Sequence, residues 1–163
     1  MDWVLIAIFV AIVAVAALLF GMISSAKRRR IQAAQRALDR RISHVVREAE
    51  WVHDQGSLDL VGDTYTGDQL RSAWEDTQNR MHDLGTEATA LADDAPDEQL
   101  RQELQALCYA LDQLAEALAT NVGLRLGDAQ DPASTTTVPA SVDAVDEHRH
   151  DLMVAIMPLS RRV

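Results

Sequence analysis

Apolar residues in this chain form one unbroken run and then a series of stripes at helical spacing. From Trp3 to Ala26 twenty-four consecutive positions are uncharged, and Val4 to Phe20 is almost wholly aliphatic, alanine or phenylalanine. At about 1.5 Å per residue such a helix measures roughly 36 Å, enough to cross a hydrocarbon layer of about 30 Å with modest tilt. Beyond the run, Ile31, Leu38, Val45 and Val52 recur every seven residues, with Ala34, Ile42 and Ala49 on the same side. Gly56 and Gly62 are expected to end this first helix. Leu70, Trp74, Thr77, Met81, Leu84, Ala88 and Leu91 alternate spacings of four and three, and Asp68 is placed to cap their helix. Gly85 lies inside that pattern and costs about 1 kcal/mol relative to alanine. The most regular stripe is Leu100, Leu104, Leu107, Leu111, Leu114, Leu118 and Val122, opened by Pro96-Asp97-Glu98 and closed by Gly127. In the fourth, Val142, Val145, Leu152, Ile156 and Leu159 share a side, and Pro158 is expected to stop or kink the helix.

Between stripes, "SLDLVGDTYTGD" (57–68) reads as a loop, since it is short and broken by glycine. Its acids at 59, 63 and 68 miss the spacing of a calcium loop. "DAQDPASTTTVPAS" (128–141) is rich in Pro, Thr and Ser and reads as a flexible linker. No β pattern competes. The prediction is an all-α chain: a single transmembrane anchor over 1–26, a helical bundle over 27–126, a linker over 127–140, and a C-terminal amphipathic helix with a basic tail over 141–163. Each apolar stripe must be covered by another element, and the short connection at Ala95-Pro96 makes the second and third helices antiparallel neighbours. An up-down, antiparallel bundle of three to four helices follows. The last helix either completes it or lies on a membrane surface with Arg161 and Arg162 among headgroups. As a rival, the first stripe can pair with a second copy as a coiled coil.

Charge orients this picture. The formal net charge is −10, divided into −1 from Asp2, +7 over residues 27–47 and −16 over residues 48–163. Lys27, Arg28, Arg29 and Arg30 follow the apolar run directly, which favours the cytoplasm for everything after them. An export signal would carry cations ahead of a core of about 7 to 15 residues. Here the charge ahead of the core is Asp2, although Ser24-Ser25-Ala26 imitates a cleavage site. Trp3 suits the outer interface. The expected location is therefore the plasma (inner) membrane, single-pass, with Met1 and Asp2 outside and the C-terminal domain cytoplasmic. The single cysteine, Cys108, suits a reducing compartment. Within the span, Ala7, Ala11, Ala14, Ala17 and Gly21 share one face, and small residues on a shared face let two such helices approach closely. That face is the candidate for homo-oligomer contact.

Candidate chemistry is sparse. The basic collar should attract anionic lipid headgroups at about 1 kcal/mol per cation. Arg29, Arg36, Arg40 and Arg47 continue it as a stripe opposite the first apolar one, and Arg36, Arg40, Arg47 and Trp51 are the candidates for contact with a cytoplasmic protein partner. The alternative for Trp51 is cover from Leu58, Leu60, Val61 or Tyr65. Nucleic acid is not an expected partner, because the stripe is narrow and the acidic body repels phosphates. His148 and His150 are two apart and point to different sides of a helix, so no metal site is read there. Ser24 to Lys27 matches S-x-x-K without its companion motifs. Cys108 borders the leucine stripe with only Arg101 as a distant cation on its helix. No catalytic residue, cofactor or metal is assigned, and an enzyme is not expected. The expected function is a self-associating, membrane-tethered helical adaptor or scaffold that presents an acidic bundle to a protein. A membrane-active assembly factor, such as a phage lysis or pore-forming component, is the alternative; a bundle holding a small ligand in its core is a weaker one.

Overall fold

The computed structural model describes residues 31–62, 64–65, 67–127 and 137–162, and among these residues there is helix and turn but no strand. No helix among them is long and apolar enough to cross a membrane; the span expected over residues 1–26 lies outside them. The chain divides into two compact units, Met1–Asp39 and Arg40–Val163. In the first, residues 31–39 are helical, and Ile31 is 55% exposed, with Ala34 also open to solvent.

The second unit is a bundle of four helices. Helix α1 covers residues 40–61, α2 is Asp68–Asp93, α3 is Glu98–Leu126 and α4 is Val138–Ser160. Cross-links between neighbours show that successive helices run antiparallel. Glu48 of α1 meets Arg80 of α2, while Arg41 meets Asp94. Thr89 of α2 faces Cys108 of α3, and Ala92 faces Arg101. Asn121 and Glu103 of α3 meet Ser141 and Arg162 at opposite ends of α4, and Arg149 of α4 returns to α1 at His53. The C-terminal stripe is thus buried in the bundle. Val145, Leu152, Ile156 and Leu159 are fully covered, as are the seven predicted positions of α3 from Leu100 to Val122. Each such leucine contributes about 1.5–3 kcal/mol by leaving water.

Local chemistry sets most helix ends. Asp97 caps α3 by accepting from Leu100 N–H at 2.7 Å, and Gly127 closes it in the left-handed region at φ +74°. Thr137 caps α4, accepting from Ala140 N–H at 3.4 Å, with Pro139 in the first turn, where a missing N–H costs nothing. This helix starts three residues inside the expected linker, and Pro158 sits within its last turns without stopping it short of Ser160. At α2 the expected cap is corrected: Gly67, at φ +53°, precedes the helix, and Asp68 is its first residue, paired with Arg71 at 3.4 Å.

The largest departure from expectation is at Gly56. It does not end α1. The helix widens into a π turn over Val52–Gly56, in which Ser57 N–H donates to Val52 O, then resumes as α-helix over Ser57–Val61. Half of the segment read as a loop is therefore helical. A π turn disturbs the regular ladder, and the His53 carbonyl within it accepts from Ser57 Oγ at 2.9 Å and from Arg149 Nε at 3.1 Å.

Candidate functional site

Two surfaces of the bundle unit gather polar side chains around open space. The first is the α1–α2 seam. Trp51 stands immediately before the π turn, and the Arg80 guanidinium lies 3.8 Å from its ring centroid while donating to Glu48 Oε2 at 3.1 Å. Such stacking contributes about 0.5–1 kcal/mol at an exposed site. Gly56 makes room for the ring edge: a Cβ there would stand 2.9 Å from Trp51 Cζ3. Beside the ring is a cleft of about 200 Å³ lined by Asp59, Leu60, Tyr65, Asp76 and Arg80 among others. Further along, Glu87 receives His44 Nδ1 at 3.2 Å and Arg41 Nε at 4.0 Å.

Trp51 is thus half-buried. Of the residues expected to cover it, Leu60 and Tyr65 line the same cleft, and Arg80 supplies cover the sequence did not announce. Arg40 and Arg47 are exposed on α1, and Arg36 is exposed in the first unit. The cations that build the α1–α2 seam are Arg41 and Arg80. Trp3, the small face Ala7, Ala11, Ala14, Ala17 and Gly21, and the collar Lys27, Arg28, Arg29 and Arg30 lie outside the described residues.

The second surface is a groove between α2 and α3. Two hollows of about 430 Å³ and 420 Å³ share Met81, His82 and Asp112, so they form one trough. Gly85 lies in its floor, where an added Cβ would meet nothing within 4 Å. The Gly85 carbonyl accepts from Thr89 Oγ1 at 2.8 Å, and Cys108 Sγ lies 3.7 Å from it. Asp93 and Asp112 line the trough, and among the described residues no Lys or Arg does. The polar partners of the half-buried Cys108 are Thr89 Oγ1 at 3.6 Å and the Gly85 carbonyl. A small-residue floor with carboxylates beside it suits docking of a helix or peptide.

At the end of the bundle that holds the α2–α3 turn, Arg162 grips Glu103 through Nε at 2.6 Å and Nη2 at 3.2 Å, with Asp97 at 3.6 Å. The hydrogen bond from Arg162 holds the Glu103 carboxyl below its ordinary range, against an opposing push from burial. At the other end, Arg125 donates to the Leu60 carbonyl and, at 3.2 Å, to that of Tyr65, closing the α1–α2 connection onto α3. His148 Nδ1 sits 3.4 Å from Asp151 on its own helix. Among the described residues no three His, Cys, Asp or Glu side chains converge on a metal position.

Sequence reasoning gave no bundle-joining role to Arg80, Arg101, Arg125, Arg149 or Arg162, each of which joins its own segment to another element. Their scarcity was the available signal: residues 48–163 hold seven cations against twenty-three acids. Compared with known proteins, the chain matches no family model, no curated protein and no solved structure.

Proposed function

We propose that the chain is a self-associating, membrane-tethered helical adaptor that presents an acidic four-helix bundle to a protein partner at the inner face of the plasma membrane. The observation that supports this most is how the apolar stripes are used. Those of α1 to α4 are buried against one another, which leaves a carboxylate-rich exterior and an open trough, features suited to recognition. The tether rests on the uncharged run Trp3 to Ala26 and the cations Lys27 to Arg30, with anionic headgroups as the collar's partners.

A fluorescent-protein fusion at the C-terminus tests the reading, using a reporter that matures only inside the cell. Fluorescence should stay with the inner-membrane fraction through an alkaline carbonate wash, and should leave it when Lys27 to Arg30 and the preceding run are deleted. Fluorescence in the soluble fraction of the intact chain overturns the tether. Collapse of the membrane potential on overexpression would favour a membrane-active assembly factor in its place.

A further inference from the structure

The α2–α3 trough has a feature that the bundle itself does not require. Gly85 lies well inside a 26-residue helix, in no turn, and apart from its own stretch of helix backbone no atom of the described residues comes within 4 Å of where its Cβ would be. A glycine there costs about 1 kcal/mol of helix propensity relative to alanine, without relieving any contact within the fold. What it does is keep the floor of the first hollow open, next to Cys108 and in the same lining as His82 and Asp112. Along α2 the trough runs from Gln78 to Asp93, about 22 Å at 1.5 Å per residue.

The chain also holds a segment of matching size and opposite charge. Residues 27–39 carry five cations and one acid, and as a helix would be about 20 Å long. Ile31, Ala34 and Leu38 share one side of it. In the structure Ile31 and Ala34 are exposed, although isoleucine at this spacing marks a face that belongs against something. Its apolar side fits a floor of Gly85, Met81 and Cys108, and its arginines fit Asp93 and Asp112. We infer that the trough receives residues 27–39 of a second copy of this chain, as an amphipathic helix laid in a groove. Donor and acceptor surfaces differ, so every chain carries one of each. The contact is head-to-tail and propagates into a ring or a string. Two troughs facing each other would set Asp93 and Asp112 against their own copies, which like charges disfavour. The inference rests on the self-association in the proposed function and not on the membrane tether.

The single cysteine of the chain makes this testable, because it lies in the trough. Two full-length chains are mixed in mild nonionic detergent under oxidising conditions: one native, the other carrying Ala34→Cys with Cys108→Ser. The expected product is a mixed disulfide between positions 34 and 108, a bond that forms only when the two Cα atoms come within about 7 Å. Its rate should fall about tenfold or more when the native partner also carries Asp93→Arg with Asp112→Arg. A comparable fall should follow from raising salt from about 0.1 M to about 1 M, which shortens the Debye length from about 10 Å to about 3 Å. Gly85→Leu, a good helix former, should block the bond while circular dichroism shows the helix content retained. A 34–34 disulfide would overturn the inference in favour of like faces pairing as a coiled coil. A 108–108 disulfide between native chains would overturn it in favour of trough against trough, and a chain that stays monomeric and forms no bond would overturn it outright. A mixed disulfide from a chain found in the soluble fraction leaves this inference standing and sinks the tether; a membrane-bound chain that forms none does the reverse.

Discussion

Two glycines in helices of the same bundle should respond to alanine with opposite signs. Both Gly56 and Gly85 lie in helical backbone, Gly56 at φ −57° and ψ −45°. Replacing glycine by alanine in such a position removes unfolded-state freedom and contributes about 1 kcal/mol to stability at either site. At Gly85 nothing opposes that gain, since the new methyl enters open space. At Gly56 the methyl would lie 2.9 Å from Trp51 Cζ3, 3.2 Å from Cη2 and 3.4 Å from Thr77 Cγ2. The indole cannot simply swing away, because Arg80 lies 3.8 Å over its ring and is itself held by Glu48. Forcing a methyl into such a site costs about 1–3 kcal/mol, so the net effect of Gly56→Ala is a loss of about 1 kcal/mol. Each kcal/mol corresponds to about 4 °C in melting temperature for a domain of this size. Thermal unfolding of the full chain, followed by circular dichroism in one detergent buffer, should show Gly85→Ala above the native chain and Gly56→Ala below it. Equal rises for both variants would refute the argument that the Trp51 ring, and not backbone preference, dictates glycine at position 56.

Three further outcomes follow from the packing. Leu104→Ala should cost about 2–5 kcal/mol in urea unfolding, as the side chain is fully buried at the α3 core. The Asn121 Oδ1 is buried without a hydrogen-bond partner while Nδ2 donates to Ser141 Oγ at 2.9 Å; Ser141→Ala should cost about 1–3 kcal/mol by orphaning the amide, and Asn121→Leu with Ser141→Ala should recover most of that loss. Glu103 titrates below its ordinary value because of Arg162, so its contribution is present above the unfolded carboxyl range and fades as pH falls through the lowered folded value. Arg162→Met should lower stability by about 1 kcal/mol at neutral pH and flatten the acid limb of a stability–pH profile, whereas the native chain should keep that limb.

The apolar stripes were legible because burial along a straight helix leaves a spacing that side chains alone record. Leu70, Leu84, Leu91 and every stripe position from Leu100 to Val122 are buried as that spacing implied. The stop expected at Gly56 failed for a packing reason within the helix: the glycine answers to the width of the Trp51 ring, which approaches it from the preceding turn. Ser57 to Val61 looked like loop because two glycines bracket it, yet it is held as helix with Leu60 in the core and Arg125 on the Leu60 carbonyl. The trough was illegible for a different cause. Met81 and Gly85 belong to one helix and Cys108 and Asp112 to another, and which residues face each other depends on how far each helix is rotated about its axis. Trp51 was recognised as unusual from its place on a polar side; that an arginine twenty-nine positions on would cover it was not written in any local pattern.

The π turn has a consequence for how α1 keeps its phase. Counting sevens onward from Val45 and Val52 would bring Asp59 to the core, but Leu60 is the residue fully enclosed and Asp59 stays partly in water. The wide turn at Val52–Gly56 absorbs that one surplus residue, which on an ordinary helix would swing everything beyond it by about 100°. Removing the exposed Gln55 would therefore allow a regular helix in the same phase, with Leu60 seven places after Val52 and its carbonyl still toward Arg125; straightening the turn without losing a residue would instead rotate the carboxylate of Asp59 toward the leucines. Alignment at this end of the bundle is stored in the backbone as an irregularity, out of reach of any side-chain substitution.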